Sequence, residues 1–256
     1  MRPYILAENN WRDIRDMNIE VALLPWGATE AHNTHLPYAT DNFQVEELAA
    51  EAGRIAHENG AGVIVLPAVP FGVNTGQADI RLDMNLNPST QLSILRDLIT
   101  VLNRQKIHKF LLLNGHGGNN FKPLLRELGL EFPDMFLSLC DWFQIAKREI
   151  SFRESGDHAD EMETSLMMKL RPGLVQPLHT AGEGKAKVSV ITGITEGWAW
   201  AEREWSKVTA DTGIGNPKYA TPEKGEEVFR VVSGKIAVLI SEIASMKMDQ
   251  RYRNPE

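Results

Sequence analysis

The first half of the chain alternates short apolar runs of β character with longer segments of helical period. VALLPWG at 21–27 is followed by a helix expected over 43–59, then AGVIVLPAVPFG, a helix over about 88–106, KFLLLNG, a helix over about 119–130, and MFLSLCD. Strands that alternate with helices in this way point to a parallel sheet joined by crossover helices. The runs are apolar almost without interruption, so both faces of that sheet must be covered. Two helix starts carry local signals: Asn87 before Pro88, and Thr221 before Pro222, each read as an N-cap followed by proline at the first helical position.

No repeat, low-complexity tract or linker divides the 256 residues, and one domain over 1–256 is expected. Residues 180–220 are glycine-rich and irregular, which reads as long surface loops. A formal charge of -7 argues against a sequence-independent grip on nucleic acid, which needs a basic face to displace counterions. The single cysteine, Cys140, can build neither a disulfide framework nor a thiolate metal site within the chain, which fits a reducing compartment. The N-terminal MRPYILAENNWRDIRD has charges where a signal peptide needs its apolar middle, and no run approaches a membrane span. A cytoplasmic location with no membrane partner is the expectation.

Loops at the carboxyl ends of parallel strands are where such sheets place their sites, and three polar clusters are read there. LPWGATEAHNTHLPYATD holds Glu30, His32, His35 and Asp41 with no lysine or arginine to balance them. If the chain is still extended after Thr29, Glu30 and His32 point to one side. Two carboxylates and an imidazole can furnish most of the inner shell of a divalent ion; a solvated acidic loop is the other reading. In LLLNGHGGNN, residues 111–120, the glycines could cradle a phosphate, or could hold His116 at the mouth of the sheet as a ligand. SGDHADEMETS, residues 155–165, runs into a helix whose dipole accounts for some of its acids. His158 beside those carboxylates should have its pKa raised toward neutrality, the range of a proton shuttle.

Taken together, these residues resemble the creatininase (creatinine amidohydrolase) family. LPWGATEAHNTHLPYATD is similar to that family's first signature, NGHGGN to its second, DHADEMETS to its H-A-x-x-x-E-T-S block, and GIGNPKYATPEKG, 213–225, to a late segment. The resemblance implies a three-layer α/β/α sandwich with a mostly parallel central sheet. It also implies two divalent ions per chain, zinc, manganese or iron, used to hydrolyse C–N bonds of small, non-peptide substrates such as amides, cyclic amides or formamides. By position, Glu30, Asp41 and His116 would hold one ion and His32 with Asp41 the other, while His158 would transfer the proton. The family is typically a homo-oligomer, often a hexamer. One departure stands out: creatininase proper has a metal-binding glutamate where this chain has Gly118. The second ion thereby loses a ligand, and Glu163 is the residue of suitable type and placement to replace it.

In the mechanism so implied, His158 protonates the departing nitrogen and Asp157 orients it. Trp142 and the WAWAEREW run, 198–205, are candidates to stack on a flat substrate ring, and His35 to line the pocket or orient a ligand; Asn33, Asn74 and Thr75 are lesser pocket candidates. Two alternatives remain at this level: a C–C hydrolase acting on a diketo-inositol type of ring, and a ligand-binding α/β module without chemistry.

Overall fold

The computed structural model describes residues 2–154 and 156–254; Ser155, the first residue of the third cluster, lies outside them. Strands β1 (Val21–Trp26), β2 (Val63–Val65), β3 (Lys109–Asn114) and β4 (Phe136–Asp141) form one parallel sheet in the order β2-β1-β3-β4. A short helix α1 (Trp11–Ile14) precedes it. Helices α2 (Thr40–Glu58), α3 (Pro88–Arg104) and α4 (Phe121–Glu131) are the crossovers, and α5 (Trp142–Glu149), α6 (Glu161–Leu170), α7 (Thr192–Thr195), α8 (Trp205–Val208) and α9 (Pro222–Ser245) follow.

Alternation along the strands explains the layers. Val21 and Leu23 of β1 and Leu111 and Leu113 of β3 face one side, where Val45 and Leu48 of α2 and Val232 and Ile236 of α9 close over them. Ala22, Leu24 and Trp26, with Phe110 and Leu112, face the other side against Leu95 and Ile99 of α3 and Leu128 of α4. The sheet is therefore covered on both faces, as its uninterrupted apolar strands require.

The chain leaves β1 toward β2 on one side and later returns to β3 on the other. The strand order reverses between β1 and β3, which opens a crevice beyond their carboxyl ends. The structure alters four expectations. β1 stops at Trp26, so Glu30 and His32 lie in a loop, not on an extended strand. The helix expected from 43 starts at Thr40, which draws Asp41 into its first turn. No strand runs into the third cluster among the described residues; α5 separates it from β4, and its residues lead directly into α6. Asn87 makes no cap, its Oδ1 accepting instead from Asn85 at 2.8 Å, whereas Thr221 does cap α9 by accepting from the Lys224 amide.

Candidate metal centre

The loop after β1, the turn after β3 and the first turns of α2 and α6 bring their polar side chains to one point in the crevice. His116 Nδ1 lies 2.8 Å from Glu30 Oε1 and 3.0 Å from Asp41 Oδ2. His32 Nε2 lies 3.0 Å from Asp41 Oδ1 and 3.9 Å from Glu163 Oε2. Three groups of donor atoms result, each within 4.8 Å: Glu30 with Asp41 and His116, His32 with Asp41 and Glu163, and Glu30 with His32 and His158; the first two share Asp41. Their side chains are almost wholly buried, and among the described residues no lysine or arginine pairs with the three carboxylates.

The hydrogen bonds fix which ring nitrogens face inward. His116 Nε2 donates to the Val73 carbonyl at 3.0 Å and His32 Nδ1 to the Glu30 carbonyl at 3.1 Å. A carbonyl only accepts, so these nitrogens carry the hydrogens and the opposite nitrogens turn lone pairs toward the carboxylates, as metal-ligating histidines do. Glu30 Oε2 accepts from Gln77, while Glu30 Oε1 and Asp41 Oδ2 have no hydrogen-bond partner among the described residues despite their closeness to His116. Lone pair facing lone pair is repulsive until a proton or a cation sits between them. The donor set therefore fits divalent ions.

The titration behaviour reflects the same demand. Burial pulls the His32 imidazole down, but Asp41 beside it prevails and holds it at about 10. Against the same burial, Glu30 leads the partners that hold His116 well above its ordinary value. Burial pushes Glu163 up to about 8. Metal-free, the site would balance its carboxylates with protons on these groups, each proton occupying a position that a cation would take.

His158 meets the site from the opposite wall. Its Nε2 donates to the Ala31 carbonyl at 2.7 Å, leaving Nδ1 3.7 Å from Glu30 Oε1. Backbone bonds to Ile214 pin it, and Ala159 after it takes a positive φ of 52°. That left-handed residue turns the chain so that Asp160 can cap α6, accepting from the Met162 and Glu163 amides at 3.0 Å. The expected upward shift of His158 is reversed: burial, then the His32 ring 4.2 Å away, holds its pKa below the ordinary value and keeps the ring neutral. Nor does Asp157 orient it. That carboxylate points outward to Arg203 at 2.9 Å, and the Ala31 carbonyl does the orienting.

A cavity of about 430 Å³ opens over these groups, lined also by Asn74, Thr75, Gln77, Asp157, Trp200 and Trp205. Two expected substrate contacts are absent from its lining. Trp142 is buried in the core between the sheet and α9, and His35 sits behind the ligands with Nε2 2.8 Å from Thr164 Oγ1. Asn33 is likewise spent on the loop at Gly182. Gln77, which holds Glu30, was not anticipated, since an isolated glutamine carries no sequence signal. The glycine at 118 has a steric cause: a Cβ there would lie 2.4 Å from His116 Nε2 and 2.5 Å from the Val73 carbonyl. Glu163 reaches the second group of donors from α6 instead.

A family model for creatininase, described as creatinine amidohydrolase, matches residues 7–240. A putative creatinine amidohydrolase from Bacteroides fragilis NCTC 9343, solved by crystallography, is 40% identical, with 97% of this chain and 99% of that one covered at a TM-score of 0.89. The mycofactocin precursor peptide peptidase of Mycobacterium ulcerans (strain Agy99) is 24% identical over 81% of this chain and 79% of its own. Solved creatininases in manganese and zinc–zinc forms share the fold at 23% identity, covering 95% of this chain and 99% of theirs with TM-scores of 0.77 and 0.75.

Proposed function

Because the chain belongs to the creatininase family, we propose that it is a metal-dependent hydrolase that splits a C–N bond in a small amide, cyclic amide or formamide. The observation that carries this reading is the pair of donor groups sharing Asp41, with inward-facing nitrogens of His32 and His116 fixed by backbone carbonyls. Glu30, Asp41 and His116 would hold one divalent ion and His32, Asp41 and Glu163 a second. Zinc, manganese and iron suit such nitrogen and oxygen donors, and the manganese and zinc–zinc forms of solved relatives support the first two. Bound there, such a pair supplies Lewis acidity: it polarises a carbonyl and lowers the pKa of water from about 15.7 toward roughly 7.

The chain's own groups do the rest. His158, neutral and with Nδ1 turned inward, can accept the proton of the attacking water and return it to the nitrogen as the C–N bond breaks. Its bond to the Ala31 carbonyl keeps that nitrogen aimed through both transfers. Trp205, edge-on to the His158 ring at 5.4 Å, walls off one flank and excludes water from it. A cavity of about 430 Å³ suits a small molecule. A second reading, cleavage of an amide within a short peptide, is supported by the relative named as a precursor peptide peptidase.

We further propose a homo-oligomer, a hexamer by family resemblance, on the exposed Val188, Val190, Ile191, Trp198 and Trp200, the last of which also lines the cavity. Cytoplasmic residence is proposed on the lone Cys140; among the described residues no helix is long and apolar enough to cross a membrane.

Elemental analysis of freshly purified wild type and His32→Ala, followed by assays on lactams, formamides, short peptides and diketo-cyclitols, tests the reading. Two ions per chain in the wild type, fewer in the variant, and metal-dependent turnover of an amide are expected. Turnover that survives complete removal of metal would refute it.

A further inference from the structure

Arg203 is the one lysine or arginine among the described residues that line the cavity. Its guanidinium carbon lies 4.5 Å over the Trp205 ring, and Trp205 is itself held by a bond from its indole nitrogen to the Thr212 carbonyl at 2.9 Å. The plate under the arginine is therefore fixed, and the guanidinium sits over its face. Of its five donors, one nitrogen meets Asp157 at 2.9 Å, and no other acceptor engages it among the described residues. Both members of that pair are about half exposed, a setting in which an ion pair adds little to stability. The guanidinium can thus exchange or share its partner with a ligand at little cost.

The position relative to the chemistry is set by the same plate. Trp205 stands 5.4 Å from the His158 ring, so the Arg203 guanidinium lies within about 10 Å of the imidazole that faces the donor groups. We propose that Arg203 makes the cavity selective for amides carrying a carboxylate within about 10 Å of the scissile bond. A planar fork reads a carboxylate through two parallel hydrogen bonds, which a point charge does not. This inference rests on the hydrolase reading, because it assigns the far end of that enzyme's substrate. Glu202, also on the rim, makes a cationic ligand the competing outcome.

Three formamides on the same two-carbon spacer separate these outcomes: N-formyl-β-alanine, neutral N-formylpropylamine and cationic N-formyl-1,2-diaminoethane. With the manganese-loaded protein, kcat/KM should favour the carboxylate over the neutral member by about tenfold or more, chiefly through KM, as a charge-assisted hydrogen bond allows. The preference should shrink as ionic strength rises. In Arg203→Met, which keeps the apolar stem, the ratio should fall toward one; Arg203→Lys should recover only part of it. Equal use of the three probes by the wild type, preference for the cation, or an unchanged ratio in Arg203→Met overturns the proposal. If none of the three is hydrolysed, calorimetric titration of the same probes decides. Carboxylate-selective binding lost in Arg203→Met then upholds Arg203 and excludes only small formamides as substrates, and its absence ends the proposal for Arg203 while the hydrolase reading stands or falls on the metal-removal test.

Discussion

Replacing Gly118 with alanine tests how closely the turn after β3 is built around His116. The added methyl would stand 2.4 Å from His116 Nε2 and 2.5 Å from the Val73 carbonyl oxygen, the two ends of the 3.0 Å hydrogen bond that aims the ring. Ordinary contact begins near 3.4 Å, so ring or carbonyl must retreat by about 1 Å. The same edge of the ring already packs closely on Gly72, where an added carbon would lie 2.7 Å from Cδ2, the atom bonded to Nε2. Losing a buried hydrogen bond costs roughly 1–3 kcal/mol. Losing the outer partner of a metal-ligating histidine weakens metal affinity by about 10- to 100-fold. Manganese titration of metal-free Gly118→Ala by calorimetry, with circular dichroism to verify the fold, should show that loss. Gly118→Glu, which restores the residue of the family motif, should fare no better because its Cβ meets the same atoms. An alanine variant that binds manganese as tightly as wild type would refute the reasoning.

Metal affinity should also rise with pH. His32 at about 10, His116 raised and Glu163 at about 8 are all protonated near pH 7 in the metal-free protein, so a cation must displace those protons. The slope of log affinity against pH should approach up to three between about pH 6.5 and 7.5 and fall toward two above about 8, where Glu163 is already ionised while His32 still holds its proton. Calorimetry in buffers of different ionisation enthalpy counts the protons, and a slope of zero contradicts the assignment. Asp160→Ala removes the α6 cap and should destabilise by about 1 kcal/mol, read as a lower Tm. Trp142→Ala should cost about 3–5 kcal/mol in urea unfolding, and Trp142→Phe should leave KM unchanged, because the indole lies in the core.

The layered fold was legible because its signals are local. Uninterrupted apolar runs demand a sheet covered on both faces, and the helical segments between them become crossovers wherever the strands pair. The ligand types were legible for a related reason: Glu30, His32, Asp41 and His116 are chemically apt residues placed where chain leaves or approaches a strand end. Local pattern failed where a neighbour far along the chain decided the outcome. His158 was expected to gain basicity from adjacent acids, yet Asp160 turns to the α6 amides and Asp157 to Arg203, leaving burial to govern the ring.

Side-chain type and spacing alone set the strand and helix pattern and the inventory of donors. Tertiary structure alone decided that Glu163 joins His32 and Asp41, that Gln77 holds Glu30 from 47 residues away, and that Trp142 faces core while Trp205 faces the cavity. Those outcomes depend on distances between segments that only the packing of helices on the sheet brings within reach, and no local spacing encodes them.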